Sequence, residues 1–197
     1  MDTAADTSRV ILASSSPRRR QLLRDGGIDF QAISPPFHEP AGGLLSNLPP
    51  SQQAESLAYF KARAVADQFP EAVVLGADTV VAAADGRVLG KPDGPQQARE
   101  MIEQLSGTRH AVITGVALLG PKRRRHIASA TSYVTMRKMT AAQIQDYIDS
   151  GKWQGKAGAY AIQEPADEFI DSVEGSLTNV MGLPMELVQQ MIAMAEG

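Results

Sequence analysis

Thirteen consecutive residues, 72–84, hold a single charged side chain, Asp78. The run is otherwise apolar and rich in β-branched residues, and the Asp85-Gly86 pair that follows is a hairpin signal. It reads as a buried strand. Shorter apolar runs at 10–13, 30–33, 111–119, 127–136 and 169–173 read as further strands. Helical patterns lie between them. Pro17 opens one over 17–24, which Gly26-Gly27 closes. Ala54, Leu57, Ala58 and Val65 share one face of a helix over 51–68. Another starts at Asp93-Gly94-Pro95, with Ala98, Met101, Ile102 and Leu105 at i, i+3, i+4 and i+7. Two more span 140–150, with Ile144, Tyr147 and Ile148 inward, and 184–194. Residues 34–50, rich in Pro, Gly and Ser, read as a loop. Strands alternating with helices and two hairpins give an α/β or α+β fold around a mixed sheet.

The 197 residues suit one domain, taken over 1–197. Lys and Arg total 19 against 22 Asp and Glu, a net charge of −3. That balance argues against a stable nucleic-acid complex but leaves room for a local basic pocket that takes a small anion. The absence of cysteine excludes disulfides, thiolate catalysis and Cys-based zinc sites. Three scattered histidines, His38, His110 and His126, do not suggest a metal cluster, and neither His38 nor His110 has a sequence partner that suggests catalysis. Residues 1–6 are acidic with no apolar core, and no apolar run nears the roughly 20 residues of a membrane span. A cytoplasmic protein with no membrane partner is expected.

Five segments could carry chemistry. In Ser14-Ser15-Ser16-Pro17-Arg18-Arg19-Arg20 a strand feeds hydroxyl residues into a helix N-terminus, where unpaired N–H groups favour anions. Three arginines in that first turn oppose the helix dipole, which suggests a phosphate site; a solvated Arg face with a Ser cap is the bland alternative. Asp78 within its apolar strand is either a metal ligand or general base, or half of a structural salt bridge. Lys61 sits on the apolar face of its helix, where a lysine snorkels or meets an anion. Lys91, in Gly90-Lys91-Pro92, is a surface-turn lysine taken alone. Residues 151–163 combine three glycines with Lys152, Lys156, Tyr160 and Gln163, a composition closer to a ligand-contacting loop than to a linker. Trp153 reads as core or loop anchor, Lys122-Arg123-Arg124-Arg125-His126 as a solvated hairpin tip, and Met181, Met185, Met191 and Met194 as core filler around the last helix.

Taken in order, these segments resemble the Maf family of nucleoside triphosphate pyrophosphatases. Residues 11–19 are similar to its opening signature, Gly76-Ala77-Asp78-Thr79-Val80-Val81 to its second and Gly90-Lys91-Pro92 to its third. Leu105-Ser106-Gly107 with His110 and Thr114-Gly115-Val116 resemble the next block. The run from Lys156 to Gln163, and Gly175-Ser176 through Asn179-Val180 to Gly182-Leu183-Pro184, complete the order. Six ordered motifs over most of the chain are specific where one would not be. The Lys-Ala-Gly…Tyr…Ile-Gln run resembles the branch acting on dTTP and UTP.

The resemblance implies an α/β fold with an elongated mixed sheet flanked by helices, related to inosine triphosphatases, with a nucleotide cleft between two lobes. It implies hydrolysis of a nucleoside triphosphate to monophosphate and pyrophosphate with a divalent metal, Mg or Mn. Asp78 is then the catalytic carboxylate and, with Glu39, the metal holder; Lys61 and Lys91 complete the catalytic set. Ser14, Ser16, Arg18 and Arg19 hold phosphate, Lys156 and Tyr160 line the substrate loop, and Arg19, Thr79 and Gln163 match base-selectivity positions. The chain departs from the family pattern at His38, Phe60 and Glu164. Gln163 can donate and accept at once, which suits the O4 and N3–H edge of thymine or uracil. A purine-type inosine-triphosphatase-like enzyme and a non-enzymatic regulator of septum formation are the alternatives. Family members often form homodimers, so a second copy is a candidate partner.

Overall fold

The computed structural model describes residues 10–37, 45–160, 162 and 168–196. Among these, seven strands join in one mixed sheet. Strand β1 (Val10–Ala13) runs parallel to β2 (Phe30–Ile33) on one side and to β3 (Val74–Ala82) on the other. Strand β3 then pairs antiparallel with both the short β4 (Val88–Leu89) and β5 (Arg109–Leu119). The sheet continues antiparallel through β6 (Arg125–Met136) to β7 (Ile170–Glu174), giving the order β2-β1-β3-β5-β6-β7.

The helices are α1 (Pro17–Asp25), α2 (Pro50–Ala66), α3 (Pro95–Leu105), α4 (Ala141–Asp149), α5 (Leu177–Val180) and α6 (Met185–Glu196). The i, i+3, i+4, i+7 stripe of α3 is fully inward: Ala98, Met101, Ile102 and Leu105 are all buried. Helix α4 opens on a capping box between Thr140 and Gln143, which satisfies two orphan donors at once. Helix α2 stops at Ala66, two residues before the expected end, because residues 67–68 form a turn. The central strand β3 is shorter than the apolar run by two residues at each end, since Ala83 and Ala84 enter the turn to β4.

Alternation along β3 sets the architecture, because successive side chains point to opposite faces. Gly76, Asp78, Val80 and Ala82 face α2, while Leu75 and Ala77 pack with Leu22 and Leu23 of α1, Leu183 of the turn before α6, and Val188 of α6. Helix α2 lies almost against the sheet backbone. A Cβ on Gly76 would sit 2.4 Å from the Ala58 carbonyl, and one on Gly115 would sit 2.3 Å from the Ala54 carbonyl carbon. Asp78 stands opposite Gly115 in the β3–β5 register, so it lies under α2 in the space the glycine leaves. Met185 and Met191 fill the core as expected, whereas Met194 is 59% exposed. No helix among the described residues is long and apolar enough to cross a membrane.

Candidate active site

The C-terminal end of β1 turns at Ser14 into α1. Ser16 caps that helix by accepting from the Arg19 N–H, and Ser14 accepts from the Ser16 N–H at 3.2 Å. The bland reading of these serines as caps is therefore part of their role. The same turn forms one wall of a cleft of about 550 Å³, lined by Ser14, Ser16, Arg18 and Arg19. Lys61 of α2, Asp78 and Thr79 of β3, Lys91 after β4, and Lys156 and Tyr160 of the loop after α4 also line it. Residues far apart in sequence, such as Ser14 and Tyr160, 146 positions apart, thus meet at one place. Of the candidates read from sequence, Glu39 and Gln163 lie outside the described residues, as do His38 and Glu164.

Asp78 is the one carboxylate among the described lining residues, and five cations share the cleft with it: Arg18, Arg19, Lys61, Lys91 and Lys156. Lys61 forms an ion pair with Asp78, and both side chains are nearly buried, at 14% and 9% exposure. The Lys61 ammonium also lies 5.8 Å from the centre of the Phe37 ring. This lysine therefore does not snorkel; it meets an anion. Asp78 is thus both half of a salt bridge and, among the described residues, the only acid at the cleft wall.

The excess positive charge is held under strain of desolvation. Burial pulls the Arg18 guanidinium below its ordinary value. Burial lowers Arg19 too; Asp78 raises it in part, and Arg18 lowers it again. Lys156 is lowered by burial first, then by repulsion from Arg18 and Lys152. Cations crowded this way gain when an anion enters. Arg19 is also fixed in place, with Nε–H donating to the Gly182 carbonyl at 2.8 Å and Nη2 to Thr79 Oγ1 at 3.2 Å.

The loop bearing Lys156 and Tyr160 is clamped to the β4 side. Gly158 donates its N–H to the Gly90 carbonyl at 3.0 Å from a left-handed conformation, φ +66°. A Cβ there would press on Val81 at 3.0 Å, so glycine is required both by conformation and by space. Behind Tyr160 stands His110, 2% exposed, with Nε2 2.6 Å from the tyrosine hydroxyl. Burial lowers the His110 imidazole to about 4, so it is neutral near pH 7. His110 lacks a sequence partner but has a structural one. Trp153 proves to be a core anchor, with its indole N–H donating to the Ile148 carbonyl at 3.0 Å.

A second hollow of about 660 Å³ shares Asp78, Thr79, Lys91 and Ala157 with the first as lining residues. No group of three His, Asp or Glu side chains that could hold a metal occurs among the described residues. Residues that sequence reasoning left without a role are Thr114, Asn179 and Gly182, which support Arg19 and Thr79. The signal for Thr114 was present: like Asp78, it is a polar side chain within an apolar strand. Among the described residues, an arrangement of one acid among five cations in an open cleft suits a polyanion and can present a carboxylate to it.

A family profile described as Maf-like protein matches residues 9–195. A dTTP/UTP pyrophosphatase of Moorella thermoacetica is 43% identical over 187 residues, covering 94% of each chain. A dTTP/UTP pyrophosphatase of Pelotomaculum thermopropionicum is 43% identical over 185 residues, covering 93% of this chain and 94% of the other. Among solved structures, the Ham1 protein of Staphylococcus aureus aligns with a TM-score of 0.56 at 14% identity, covering 94% of this chain and 98% of that one. That last likeness is one of fold alone.

Proposed function

Since the chain belongs to the Maf family, we propose that it hydrolyses nucleoside triphosphates to the monophosphate and pyrophosphate, with dTTP and UTP preferred. The observation that carries the reading is that, among the described residues of the cleft, the carboxylate Asp78 stands among five cations. A triphosphate is the ligand such a charge pattern fits, and relatives 43% identical are dTTP/UTP pyrophosphatases.

Hydrolysis at this site requires water to attack the α-phosphorus while the bond from that phosphorus to the bridging oxygen breaks. The barrier lies in positioning and in the charge that builds on phosphate oxygens. Arg18, Arg19, Lys91 and Lys156 would hold that charge, the arginines through two parallel hydrogen bonds each. Ser14 and Ser16 lie at the same wall and fix the turn that carries Arg18 and Arg19. Asp78 would take the water's proton or orient it, with Lys61 keeping the carboxylate in place.

A divalent cation, Mg²⁺ or Mn²⁺, fits this donor set, because such ions use one or two carboxylates together with the substrate's own phosphate oxygens. Asp78 would hold it, and Glu39 is the second ligand expected from the sequence. Bound there, the cation would neutralise developing charge on the phosphates. The base would lie toward Thr79, Tyr160 and Gln163. The cytoplasm, where nucleotide pools are kept, is the compartment this activity calls for.

The test is turnover across dTTP, UTP, CTP, GTP, ATP and ITP, with pyrophosphate as the measured product. Higher kcat/KM for dTTP and UTP than for any purine is expected. Preference for ITP would give the purine-type reading instead, and binding without turnover would give the regulator.

A further inference from the structure

Thr114 lies on β5 opposite Thr79 in the β3–β5 register, and it is completely buried. Its Oγ1 is 2.9 Å from Thr79 Oγ1 and 2.9 Å from the backbone carbonyl of Asn179. A carbonyl oxygen only accepts, and a hydroxyl has one hydrogen. Thr114 therefore donates to Asn179 and accepts from Thr79. The one hydrogen of Thr79 is thereby directed away from the cleft. On its other side Thr79 Oγ1 accepts from Arg19 Nη2 at 3.2 Å, which agrees with this polarity.

The direction of the chain is fixed further in. The Asn179 side-chain amide donates to the Val112 carbonyl at 3.0 Å and to Ser132 Oγ at 2.9 Å. Ser132 in turn donates its own hydrogen to the Ser176 carbonyl at 2.9 Å. Backbone carbonyls terminate the network at Asn179, Val112 and Ser176, so it cannot be reversed. Asn179 and α5 are thereby held against β5 and β6, and the acceptor that orders Thr114 stays in place.

We propose that Thr114 is a positioning residue that sets base selectivity: by accepting the Thr79 hydrogen, it leaves Thr79 an acceptor-only group on the cleft wall. This inference rests on the pyrimidine pyrophosphatase reading above. An acceptor-only wall does not suit phosphate oxygens, which are acceptors themselves. It suits an obligate donor, and the N3–H of thymine or uracil is one. Cytosine has a bare N3, so its lone pair would face that of Thr79. A site built around a substrate N–H rejects the analogue that lacks it.

Two measurements test the inference. On the unaltered enzyme, UTP is compared with 3-deaza-UTP, in which N3–H becomes C–H. The expected result is a kcat/KM at least about fivefold lower for the analogue, the lower bound for an unpaired buried polar group. Equal values overturn the inference. In Thr114→Val the Thr79 hydrogen loses its acceptor and can turn into the cleft, toward cytosine N3. The ratio of kcat/KM for dTTP to that for CTP is expected to fall at least about fivefold, and Thr114→Ser to restore it. General damage would lower both substrates together and leave the ratio unchanged, which overturns the inference, as does failure of Thr114→Ser to restore the ratio. The 3-deaza comparison decides the matter if Thr114→Val does not fold. If the unaltered enzyme turns over CTP as well as dTTP, the inference falls while the pyrophosphatase reading stands. If it releases no pyrophosphate from any pyrimidine triphosphate, the reading falls and the inference with it.

Discussion

Lys61 of α2 and Asp78 of β3 form an ion pair across a contact that two glycines, Gly76 and Gly115, keep unusually close. The pair joins the helix to the sheet at the cleft wall, and it holds Asp78, the one acid among that wall's described residues, in a set position. Asp78→Asn keeps the shape and removes the charge. We expect kcat for dTTP to fall by about 10²–10⁴-fold, the range for a lost acid–base group, with little change in KM. Near-normal turnover at saturating Mg²⁺ would remove Asp78 from the chemistry.

The glycines themselves give a stability prediction. An added methyl at Gly76 would meet the Ala58 carbonyl at 2.4 Å, and backbone cannot move aside as a flexible side chain can. Gly76→Ala should cost about 3 kcal/mol, the upper end for overpacking. For a chain of this length that lowers Tm by about 6–12 °C. The control is Gly94→Ala, where nothing lies within 4 Å of the added carbon. Equal Tm shifts in the two variants would contradict the close packing of α2.

Much of this fold was legible because periodicity reports it directly. The apolar, β-branched run of β3 and the stripe of α3 are local patterns, and the structure places both, with β3 two residues shorter at each end than the run. What periodicity cannot report is which elements meet. Lys61 could snorkel or meet an anion, and Asp78 could be catalytic or structural, because their pairing depends on α2 crossing β3. His110 had no visible partner because Tyr160 lies 50 residues on. Helix α5 has four residues and β4 two, too few to show a period. Thr114 was quoted within a motif, but its effect on Thr79 follows only from strand register.

His110 gives the pH prediction. Its folded-state value, about 4, lies below the ordinary 6.5 because burial disfavours the charged ring. Between these values the unfolded chain binds a proton that the folded one does not, so stability falls as pH drops from about 6.5 toward 4. The shift corresponds to a loss of up to about 3 kcal/mol. His110→Gln, which keeps a hydrogen-bonding partner for Tyr160, should lack this component. Urea unfolding at pH 7 and pH 4.5 reads the difference between the two proteins; parallel losses would contradict a neutral buried His110.

Arg18 lines the cleft from the first turn of α1 and is desolvated there. Removing it should weaken triphosphate binding as well as slow the reaction, whereas Asp78→Asn acts on rate. Arg18→Ala is expected to raise KM for dTTP by about 10-fold or more, as one hydrogen bond to a charged group contributes about 1.5–3 kcal/mol. Arg18→Lys should recover part of this, since lysine keeps the charge without the bidentate fork. A KM unchanged in Arg18→Ala would place the phosphates elsewhere.

The central claim is that water attacks the α-phosphorus of a pyrimidine nucleoside triphosphate in the cleft around Asp78. Its most direct test is hydrolysis of dTTP in ¹⁸O-water, with the products separated and weighed by mass spectrometry. The account predicts dTMP carrying one ¹⁸O and pyrophosphate carrying none. Label in pyrophosphate, or formation of dTDP and labelled inorganic phosphate, would contradict it.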